Sequence, residues 1–458
     1  NQFFSKPPLV YVGKKKIKNK FHIVYNPEFG NSPSLLNEEA MRIFSNVSSK
    51  TTFSELYQKL LKEDKTYKLS KKEVVGVLKL LVENKVIYPK KPPKPAYYSH
   101  GKDFIVCWLY LTNMCNLRCV YCPVPKGFQT IPFSTAKKVV DSLIYTARKH
   151  YKRTVGIKFG GGEPLIVFDL LKQIFSYAQQ KTKKAGLEFQ ASVSTNGTLL
   201  SDEKVTYLEK NGISIKVSLD GLKKAHDKNR PYANGQGSFD DVLKGLEKIK
   251  NLEGAHISIT IIKNNIKTLP NLVKFLLENR MYTIFNFVRE KPNIKGNLKM
   301  APSNKEGIFY YKKAFKVIEK NLPKYPVWNG LLGRVQFIAR LCGCEIGHSF
   351  FSVKENGEIK LCSILEPKDL KLGKVKSKTD YIELVSQHAP PPIQKRCNRC
   401  KNCQWRYICA GGCPILTLMR KGTYNSPSPL CEVYKRLIPE VIRLEALRVY
   451  SETRAGGG

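Results

Sequence analysis

The sequence lacks any apolar run of about 18 residues, the length that a membrane-spanning helix needs. Its first residues also lack the succession of charged, apolar and small residues that marks a secretory signal peptide. We therefore expect no membrane span and a cytoplasmic location. At 458 residues and 42% hydrophobic composition, the chain can form one large core and one or two small ones, which predicts two to four domains.

Acidic residues are scarce beside basic ones: 37 Asp and Glu stand against 78 Lys and Arg, a formal net charge of +41. This charge makes nucleic acid a candidate partner, because Lys and Arg neutralise phosphates. The lysines are spread over the whole chain, however, and no basic run is interleaved with stacking aromatic residues. The excess favours a lysine-rich genome, a high growth temperature or acidic partners such as a carboxylate-rich peptide over a nucleic-acid substrate.

No cysteine lies between residues 122 and 342, and the thirteen cysteines fall into one group at 107 to 122 and another at 342 to 431. In a reducing compartment this clustering favours metal ligation over disulfides. Cys115, Cys119 and Cys122 have the spacing for three corners of one iron-sulfur cube, and no fourth cysteine closes it. One iron would stay open for a small molecule. The alternative is a zinc site that is short of one ligand.

This spacing, with Tyr121 before the third cysteine, resembles the signature of the radical S-adenosylmethionine (radical SAM) enzymes. The resemblance implies that Cys115, Cys119 and Cys122 hold a catalytic 4Fe-4S cluster and that Tyr121 lies beside the cofactor. In that family the open iron chelates the methionine moiety of S-adenosylmethionine, and an electron from the cluster releases a 5′-deoxyadenosyl radical. The resemblance covers about residues 104 to 435.

Strand and helix patterns alternate from Phe104 to about Arg289. Right-handed crossovers between parallel strands curl such a sheet toward a barrel, with chemistry at the C-terminal strand ends. We therefore predict an α/β fold around a partial (β/α)6 TIM-like barrel. The predicted strands cover 104–112, 155–160, 188–195, 214–219, 256–262 and 282–288, and predicted helices include 134–149, 202–211 and 238–250.

Glycine-rich and polar stretches follow the second, third and fourth predicted strands. After the second, Gly161 and Gly162 allow the backbone to approach a ligand, and Glu163 can hold an ammonium group. This stretch resembles the one that binds the methionine amino group in the family. By the same resemblance, ribose hydroxyls and the methionine carboxylate bind to Ser194, Asn196 and Ser218.

The second cysteine group surrounds a predicted hairpin, residues 350 to 361, with an Asn356-Gly357 turn. The arrangement resembles the SPASM extension of radical SAM peptide maturases, which carries two auxiliary 4Fe-4S clusters and brings the total to three. The sequence also predicts helices over 304 to 340 and a C-terminal helix over 430 to 450. The resemblance assigns Cys342, Cys344, Cys362 and Cys413 to the first auxiliary cluster, and Cys400, Cys403, Cys409 and Cys431 to the second.

Three features depart from the family pattern. Cys342 and Cys344 are closer than the usual first two ligands, so one of them is spare if this cluster keeps an open iron. Cys397 is an additional cysteine that could replace Cys400. Ser363 occupies the place where formylglycine-forming relatives have an aspartate base, which counts against formylglycine formation.

The first 95 residues contain a strand pattern over 20 to 30, then three amphipathic helical patterns, and then a strand at 85 to 88. Ser70 is the predicted N-cap of the third helix. This resembles the leader-peptide recognition domain of enzymes that modify ribosomally made peptides; a DNA-binding winged helix and a structural cap are the alternatives. A proline-rich linker over 89 to 95 ends the unit. We therefore predict three domains, at 1–95, 100–325 and 326–458.

These resemblances imply a SPASM-type radical SAM peptide maturase that forms a thioether or another side-chain cross-link in a ribosomally made peptide (a RiPP). Alternatives are a peptide epimerase, a carbon-carbon cyclase and a formylglycine-forming enzyme. A more distant alternative is a nucleic-acid-binding iron-sulfur protein without catalysis. The expected partners are a peptide or protein substrate with a leader segment and a reductant such as ferredoxin or flavodoxin. Neighbouring reading frames, rather than this sequence, would identify the substrate.

Overall fold

The computed structural model describes residues 3–455, except for 8, 30–31, 49, 64–69, 90–96, 98–101, 290–299, 327–329, 365–369 and 371. The predicted linker therefore lies outside the described residues from position 90 onward. Within the described ranges, no helix combines the length and the apolar character that a membrane crossing needs.

The N-terminal unit combines two small antiparallel sheets with three helices. In the first sheet, β1 (Phe3–Ser5) lies between β5 (Thr51–Thr52) and β6 (Tyr88–Pro89). The second sheet has the order β2 (Tyr11–Val12), β3 (His22–Tyr25), β4 (Ser34–Leu36). The helices α1 (Glu38–Asn46), α2 (Phe53–Glu63) and α3 (Lys71–Glu83) bury Ile43, Leu56, Val74 and Leu78 in a core of their own.

The strand around Tyr25 and the three helices are confirmed, and Ser70 caps α3 with a reciprocal capping box to Glu73. The predicted wing strand is shorter than expected and pairs with β1. The sequence does not predict β1, β2, β4 and β5, because strands of two or three residues carry too little alternation to be recognised. The sheet of β2, β3 and β4 packs on the rest of the molecule, where the ring centroids of Tyr25 and Phe337 lie 6.2 Å apart.

Six parallel strands form the centre of the molecule and are neighbours in sequence order, each next to the one that follows it. All six predicted strands are confirmed within two residues at each end, and so is the α/β fold. The strands are β7 (Phe104–Thr112), β8 (Thr154–Gly161), β9 (Glu188–Thr195), β10 (Ser214–Ser218), β11 (His256–Ile261) and β12 (Thr283–Phe287). The connecting helices are α4 (Phe133–Lys149), α5 (Phe168–Lys184), α6 (Asp202–Lys210), α7 (Lys223–Asn229), α8 (Phe239–Ile249) and α9 (Leu269–Glu278).

Alternate residues of these strands have different surroundings. Ile105, Cys107 and Leu109 of β7 are fully buried and belong to the main core, together with apolar residues of α4 and α5. The intervening residues face the other side of the curved sheet, which is the lumen of the partial barrel. Cys107 is thus a core residue that packs as a small apolar side chain.

The predicted hairpin is confirmed as β13 (Phe350–Val353) and β14 (Ile359–Lys360), with Gly357 at positive φ in the turn. It is also part of the barrel sheet, because β13 pairs in parallel with β7 and sets Phe351 opposite Cys107. The hairpin therefore fixes the second cysteine group to the edge of the barrel.

The C-terminal third is helical around this hairpin. The predicted helix over 304–340 is wrong in its second half: α10 (Asn304–Lys320) ends before Pro323 and Pro326, and turns follow in which Gly330 and Gly333 adopt positive φ. The other helices are α11 (Tyr381–Ser386), α12 (Asn398–Lys401), α13 (Arg406–Cys409), α14 (Pro414–Lys421) and α15 (Cys431–Ala455). The predicted C-terminal helix is confirmed as α15, whose Leu437, Val441 and Leu444 are fully buried.

Candidate active site

Cys115, Cys119 and Cys122 lie in the loop that follows β7, at the C-terminal edge of the parallel strands. Backbone hydrogen bonds join this loop to the end of α7 and the residues after it: the Arg118 amide donates to the Pro231 oxygen (2.8 Å) and the Val120 amide donates to the Asn229 oxygen (3.0 Å). The cysteine loop is therefore attached at two places to the connection between β10 and α8.

The three thiols are close enough to affect one another electrostatically. Burial raises the pKa of Cys119 to about 11 and also raises that of Cys115, and neighbouring thiolates add to both shifts. Lys126 donates a hydrogen bond from Nζ to the sulfur of Cys122 (3.2 Å). The three cysteines are half-buried, and two of their thiols, Cys115 and Cys119, resist ionisation until a cationic group replaces their protons, so the set fits an iron-sulfur cluster.

The described residues contain no group of three His, Cys, Asp or Glu side chains close enough to hold a single metal ion. Thiolates ligate both zinc and iron-sulfur clusters, so the iron-sulfur assignment of these cysteines stays a prediction from the family resemblance.

Gly161 and Gly162, at the end of β8, let this strand lie against the cysteine loop. Gly161 has φ of +123°, and a Cβ on Gly162 would lie 1.9 Å from the carbonyl oxygen of Met114. The Gly162 amide donates to Thr112 and the Glu163 amide to Met114, both at 2.7 Å. The close backbone approach predicted for these glycines is thus made to the chain itself; their contact with a cofactor stays a prediction.

Glu163 is completely buried and is surrounded by donors of the chain. Its carboxylate accepts hydrogen bonds from the Asn196 amide (2.7 Å), the Thr195 hydroxyl (2.7 Å) and the Leu165 amide (3.0 Å). Burial raises the pKa of Glu163, and these donors act against that shift. The structure therefore gives Glu163 a role that sequence reasoning missed, joining β8 to β9; binding of an ammonium group stays a prediction.

Asn196 lies between Glu163 and the cysteine loop. Its side-chain nitrogen donates to the side-chain oxygen of Asn116 (2.8 Å), and Asn116 in turn donates to the hydroxyl of Thr198 (2.8 Å). Asn196 is 4% exposed. The end of β9 therefore positions the cysteine loop through two paired amides.

Tyr121 is joined to two charged residues that follow β10. Its hydroxyl donates to a carboxylate oxygen of Asp220 and accepts a hydrogen bond from Arg230 (2.6 Å). The other oxygen of Asp220 accepts from the Thr260 amide (2.7 Å), which ties this network to β11. Tyr121, predicted as a cofactor contact from its place in the motif, thus also holds the loop in place.

The lumen-facing side of the strands is polar. Ser194 and Ser218, two predicted cofactor contacts, are half-buried there on β9 and β10. Lys158 of β8 and Lys216 of β10 face the same lumen, in register with Ser192 and Ser194 of β9. Sequence reasoning missed both lysines, although a lysine inside an apolar strand was a usable signal because lysine is rarely buried without a reason.

Three cysteines of the predicted first auxiliary set lie near Arg334: thiolates at Cys344, Cys413 and Cys362 raise the pKa of this arginine. Burial raises the pKa of Cys342 to about 11, and a thiolate at Cys344 adds to that shift. A Cβ on Gly343 would lie 2.1 Å from the Gly412 oxygen, which shows how closely the Cys342–Cys344 turn approaches the segment before Cys413. The set fits a cluster at the edge of the barrel.

The four cysteines of the predicted second auxiliary set line one cavity of about 30 Å³. Burial and, to a smaller extent, a thiolate at Cys431 raise the pKa of Cys400 and of Cys409 to about 12. Cys397 is within hydrogen-bond reach of Cys400, so the fifth thiol is adjacent to this set. The convergence of Cys400, Cys403, Cys409 and Cys431 on one cavity matches the four ligands of a 4Fe-4S cluster, and replacement of Cys400 by Cys397 stays a prediction.

Comparison with known sequences gives one family and several relatives. The profile of the Radical SAM superfamily matches residues 109–276. An uncharacterized protein of Methanocaldococcus jannaschii is 31% identical over 286 residues, which are 60% of this chain and 93% of that protein. A cysteine-type anaerobic sulfatase-maturating enzyme of Clostridium novyi is 23% identical over 66% of this chain and 85% of the enzyme.

Comparison with solved structures supports the same fold. The structure of native anSMEcpe with bound AdoMet and Cp18Cys peptide matches with a TM-score of 0.61 and 19% identity, over 75% of this chain and 99% of that one. The matched part is large enough to include strands outside the family profile. At this identity the likeness shows the fold alone.

Proposed function

The chain belongs to the radical SAM superfamily of enzymes and is related to anaerobic sulfatase maturases, and we propose that it forms a thioether or another side-chain cross-link in a ribosomally made peptide. One observation carries the proposal: the first cysteine set lies at the C-terminal strand ends of the lumen, and Cys344, Cys362 and Cys413 of the first auxiliary set lie near Arg334, whose charge also acts on Lys158 inside that lumen. Such a lumen can enclose one side chain of a substrate and keep water from it.

The cofactors are 4Fe-4S clusters and S-adenosylmethionine. We assign the first cluster to Cys115, Cys119 and Cys122, and S-adenosylmethionine to residues at the ends of β8, β9 and β10. When bound, these groups supply the capacity to remove a hydrogen atom from an unactivated C–H bond. The S-adenosylmethionine contacts are assigned to Tyr121, Gly161, Gly162, Glu163, Ser194, Asn196 and Ser218.

The residues of the chain hold the reacting groups in position and do not react themselves. The bonds from Asn196 to Asn116 and from Arg230 to Tyr121 fix the cysteine loop relative to the lumen. A reactive group must be held within a few ångströms of the bond it attacks, and rigid strand ends provide that control. We infer that the selectivity for one substrate bond originates in these contacts.

The auxiliary cysteine sets favour an oxidative reaction. Joining a thiol sulfur to a carbon removes one hydrogen from each: the C–H hydrogen leaves as a hydrogen atom, and the S–H hydrogen leaves as a proton together with one electron that a carrier must accept. Two auxiliary clusters would supply one-electron carriers, which a cross-link needs and an epimerisation does not. An external reductant such as ferredoxin or flavodoxin would supply the electron that starts each turnover.

The experiment uses the anaerobically reconstituted protein and the short peptides encoded beside its gene. The expected result is a fall in peptide mass of about two units for each cross-link, with one deuterium from a labelled side chain recovered in 5′-deoxyadenosine. A peptide of unchanged mass that gains one deuteron in heavy water would establish an epimerase instead.

Formylglycine formation is the second candidate, because relatives carry the name of anaerobic sulfatase-maturating enzymes. Against it, Ser363 replaces the expected aspartate, and the hydroxyl of Tyr110 donates to the Ser363 backbone oxygen. A product aldehyde that reacts with a hydrazine probe would establish formylglycine. The cross-link gives no such reaction.

We also propose that the N-terminal unit binds a leader segment by adding a strand to the sheet of β2, β3 and β4, whose outer strands have free edges in the described residues. The amides of Val12 and Leu35 point away from β3 by strand alternation, so proline at either position would remove an edge donor from one side of the sheet. One of these variants should bind the leader peptide more weakly and still cleave S-adenosylmethionine without peptide. Unchanged peptide binding in both proline variants would mean that the N-terminal unit is a structural cap and not a leader-binding domain.

A further inference from the structure

Two lysines project into the lumen of the barrel from strands that lie on either side of β9. Lys158 alternates with Ile157 and Phe159, and Lys216 with Ile215 and Val217; these four apolar residues are buried in the main core. Alternation along a strand therefore directs both lysines away from the core and into the lumen. Both lie below the strand ends that carry the cysteine loop.

The lysines are surrounded by protein yet reached by water. Lys158 has an exposed side chain, although loss of hydration lowers its pKa. Lys216 is half-buried, and loss of hydration lowers its pKa to about 8. Both observations fit side chains that extend into an open internal channel, where water is present but scarce.

The charges that act on this pair are almost all positive. Lys158, Arg334 and Arg289 each lower the pKa of Lys216 further, and Arg334 does the same to Lys158. The opposing charge is a thiolate at Cys344, in the first auxiliary set, which raises the pKa of Lys158. Two arginines thus add their positive charge to that of the two lumen lysines.

Internal partners do not neutralise the two ammonium groups in the described part of the chain. Lys158 lies 5.8 Å from the ring centroid of Phe350, and neither lysine forms an ion pair or a hydrogen bond through its ammonium group with a described residue. Glu290, next in sequence to Arg289, lies outside the described residues. Unpaired cations in a partly dry site cost stability, and a bound anion would offset that cost.

We propose that the substrate segment that enters the lumen carries carboxylate side chains, and that Lys158 and Lys216 select it. The inference rests on the proposed function, because it concerns the substrate of the same site. The two ammonium groups contact the substrate rather than the reacting atoms, so they determine specificity. An acidic residue next to the modified side chain would be drawn into the lumen and would fix which side chain reaches the strand ends.

The test is a binding titration by calorimetry with the full chain, reconstituted anaerobically and supplied with S-adenosylmethionine. The probes are three peptides of one length that differ only at two central positions: two glutamates, two glutamines or two phosphoserines. The glutamate peptide should bind at least about tenfold more tightly than the glutamine peptide at low salt, and added salt should reduce the difference.

Lysine variants then test which side chains cause the preference for the glutamate peptide. Lys158→Met combined with Lys216→Met should abolish it, Lys158→Arg combined with Lys216→Arg should retain it, and Lys224→Met, at an exposed lysine of α7, should leave it unchanged. Iron content and circular dichroism show that each variant is folded. Equal affinity for the glutamate and glutamine peptides, tighter binding of the phosphoserine peptide, or a preference that survives in the Met double variant would overturn the proposal.

The titration measures binding without turnover, so its result can contradict the selection of carboxylates without contradicting the proposed function, and the converse also holds. A wild-type protein that prefers the glutamate peptide but does not cleave S-adenosylmethionine would contradict the proposed function and support the charge selection. A protein that cleaves S-adenosylmethionine but binds both peptides equally would support the proposed function and contradict the charge selection.

Discussion

Glu163, at the end of β8, accepts a 2.7 Å hydrogen bond from the backbone amide of Asn196, at the end of β9. The bond joins the two strand-end stretches that the sequence marks as cofactor-binding. Because Asn196 also donates to Asn116 in the cysteine loop, the three stretches form one connected unit. A change at Glu163 should therefore affect the fold as well as the cofactor.

Glu163→Gln tests that connection. The amide keeps the size of the side chain but replaces one acceptor oxygen by a donor, which then faces a donor of the chain. We expect the free energy of unfolding to fall by about 1–3 kcal/mol, the usual cost of a buried unpaired polar group. Glu203→Gln, at an exposed position of α6, is the matched control and should change little. Unaltered stability with weaker S-adenosylmethionine binding would mean that Glu163 acts on the ammonium group alone.

The cysteine assignments predict the iron content. Three clusters should give about twelve irons per chain, and replacing Cys115, Cys119 and Cys122 together by Ala should remove about four of them. Cleavage of S-adenosylmethionine should be lost completely. Cys107→Ala is the control, because this thiol is fully buried in the main core and should leave the iron content unchanged. Cleavage that persists in the triple variant would refute the assignment.

The sequence predicts the six barrel strands well because each is an apolar run long enough to be recognised, such as Phe104–Thr112. It does not predict that β13 joins β7, since that pairing connects residues some 240 positions apart and depends on the finished barrel. A lysine inside an apolar strand is a signal in the sequence, but the side of each strand that faces the lumen is known only from the curled sheet. The common lumen position of Lys158 and Lys216 is therefore not predicted from the sequence.

The site shows a similar division. Motif spacing identifies Tyr121 and Glu163 as residues of interest, because the family resemblance attaches roles to their positions. It cannot reveal that Arg230 donates to Tyr121, or that Thr195 donates to Glu163, since those partners are set by strand ends meeting in space. Sequence therefore gives the candidates, and the structure gives the contacts that hold them.

Stability should rise with pH where Lys216 titrates. Its pKa is 10.5 in the unfolded chain and about 8 in the folded one, because of burial and then of Lys158, Arg334 and Arg289. Between these pH values the unfolded state binds more protons than the folded state, so the free energy of unfolding increases with pH across this window. Below the window the full destabilising effect of Lys216 is present. His256, in register with Lys216 on β11, has a lowered pKa and stays neutral above pH 7.

Lys216→Met removes this effect. After allowance for water in the lumen, we expect the variant to be more stable than the wild type by about 1–2 kcal/mol at pH 7, with the gain shrinking toward pH 10. Thermal unfolding of the anaerobic protein at several pH values measures it. Lys224→Met should follow the wild-type curve. A Lys216→Met protein that is less stable at pH 7 would show that the ammonium group has a partner in the folded state.

Arg396 is buried beside the first auxiliary set, and part of its guanidinium group forms no hydrogen bond with the described residues. It is 3% exposed, and its Nε donates to the Pro391 oxygen (3.0 Å). Its two terminal nitrogens have no hydrogen-bond partner among the described residues. Burial raises the pKa of Cys342 to about 11, and the charge of Arg396 acts against that rise. A Cβ on Gly411 would lie 2.0 Å from a terminal nitrogen of Arg396, so the guanidinium is tightly enclosed beside this set.

A buried cation without a partner is unfavourable, whereas the sulfurs of a thiolate-ligated cluster accept hydrogen bonds, and donors near them raise the reduction potential. Arg396→Met should therefore shift one of the three cluster potentials to a more negative value and leave the other two unchanged, as followed by electron paramagnetic resonance during a redox titration. The cluster-free variant should be at least as stable as the cluster-free wild type, because an uncompensated charge has been removed. Arg148→Met, at an exposed arginine of α4, is the control for a general change in charge. Three unchanged potentials would show that the guanidinium does not act on a cluster, and a cluster-free variant that is strongly destabilised would mean that Arg396 supports the fold instead.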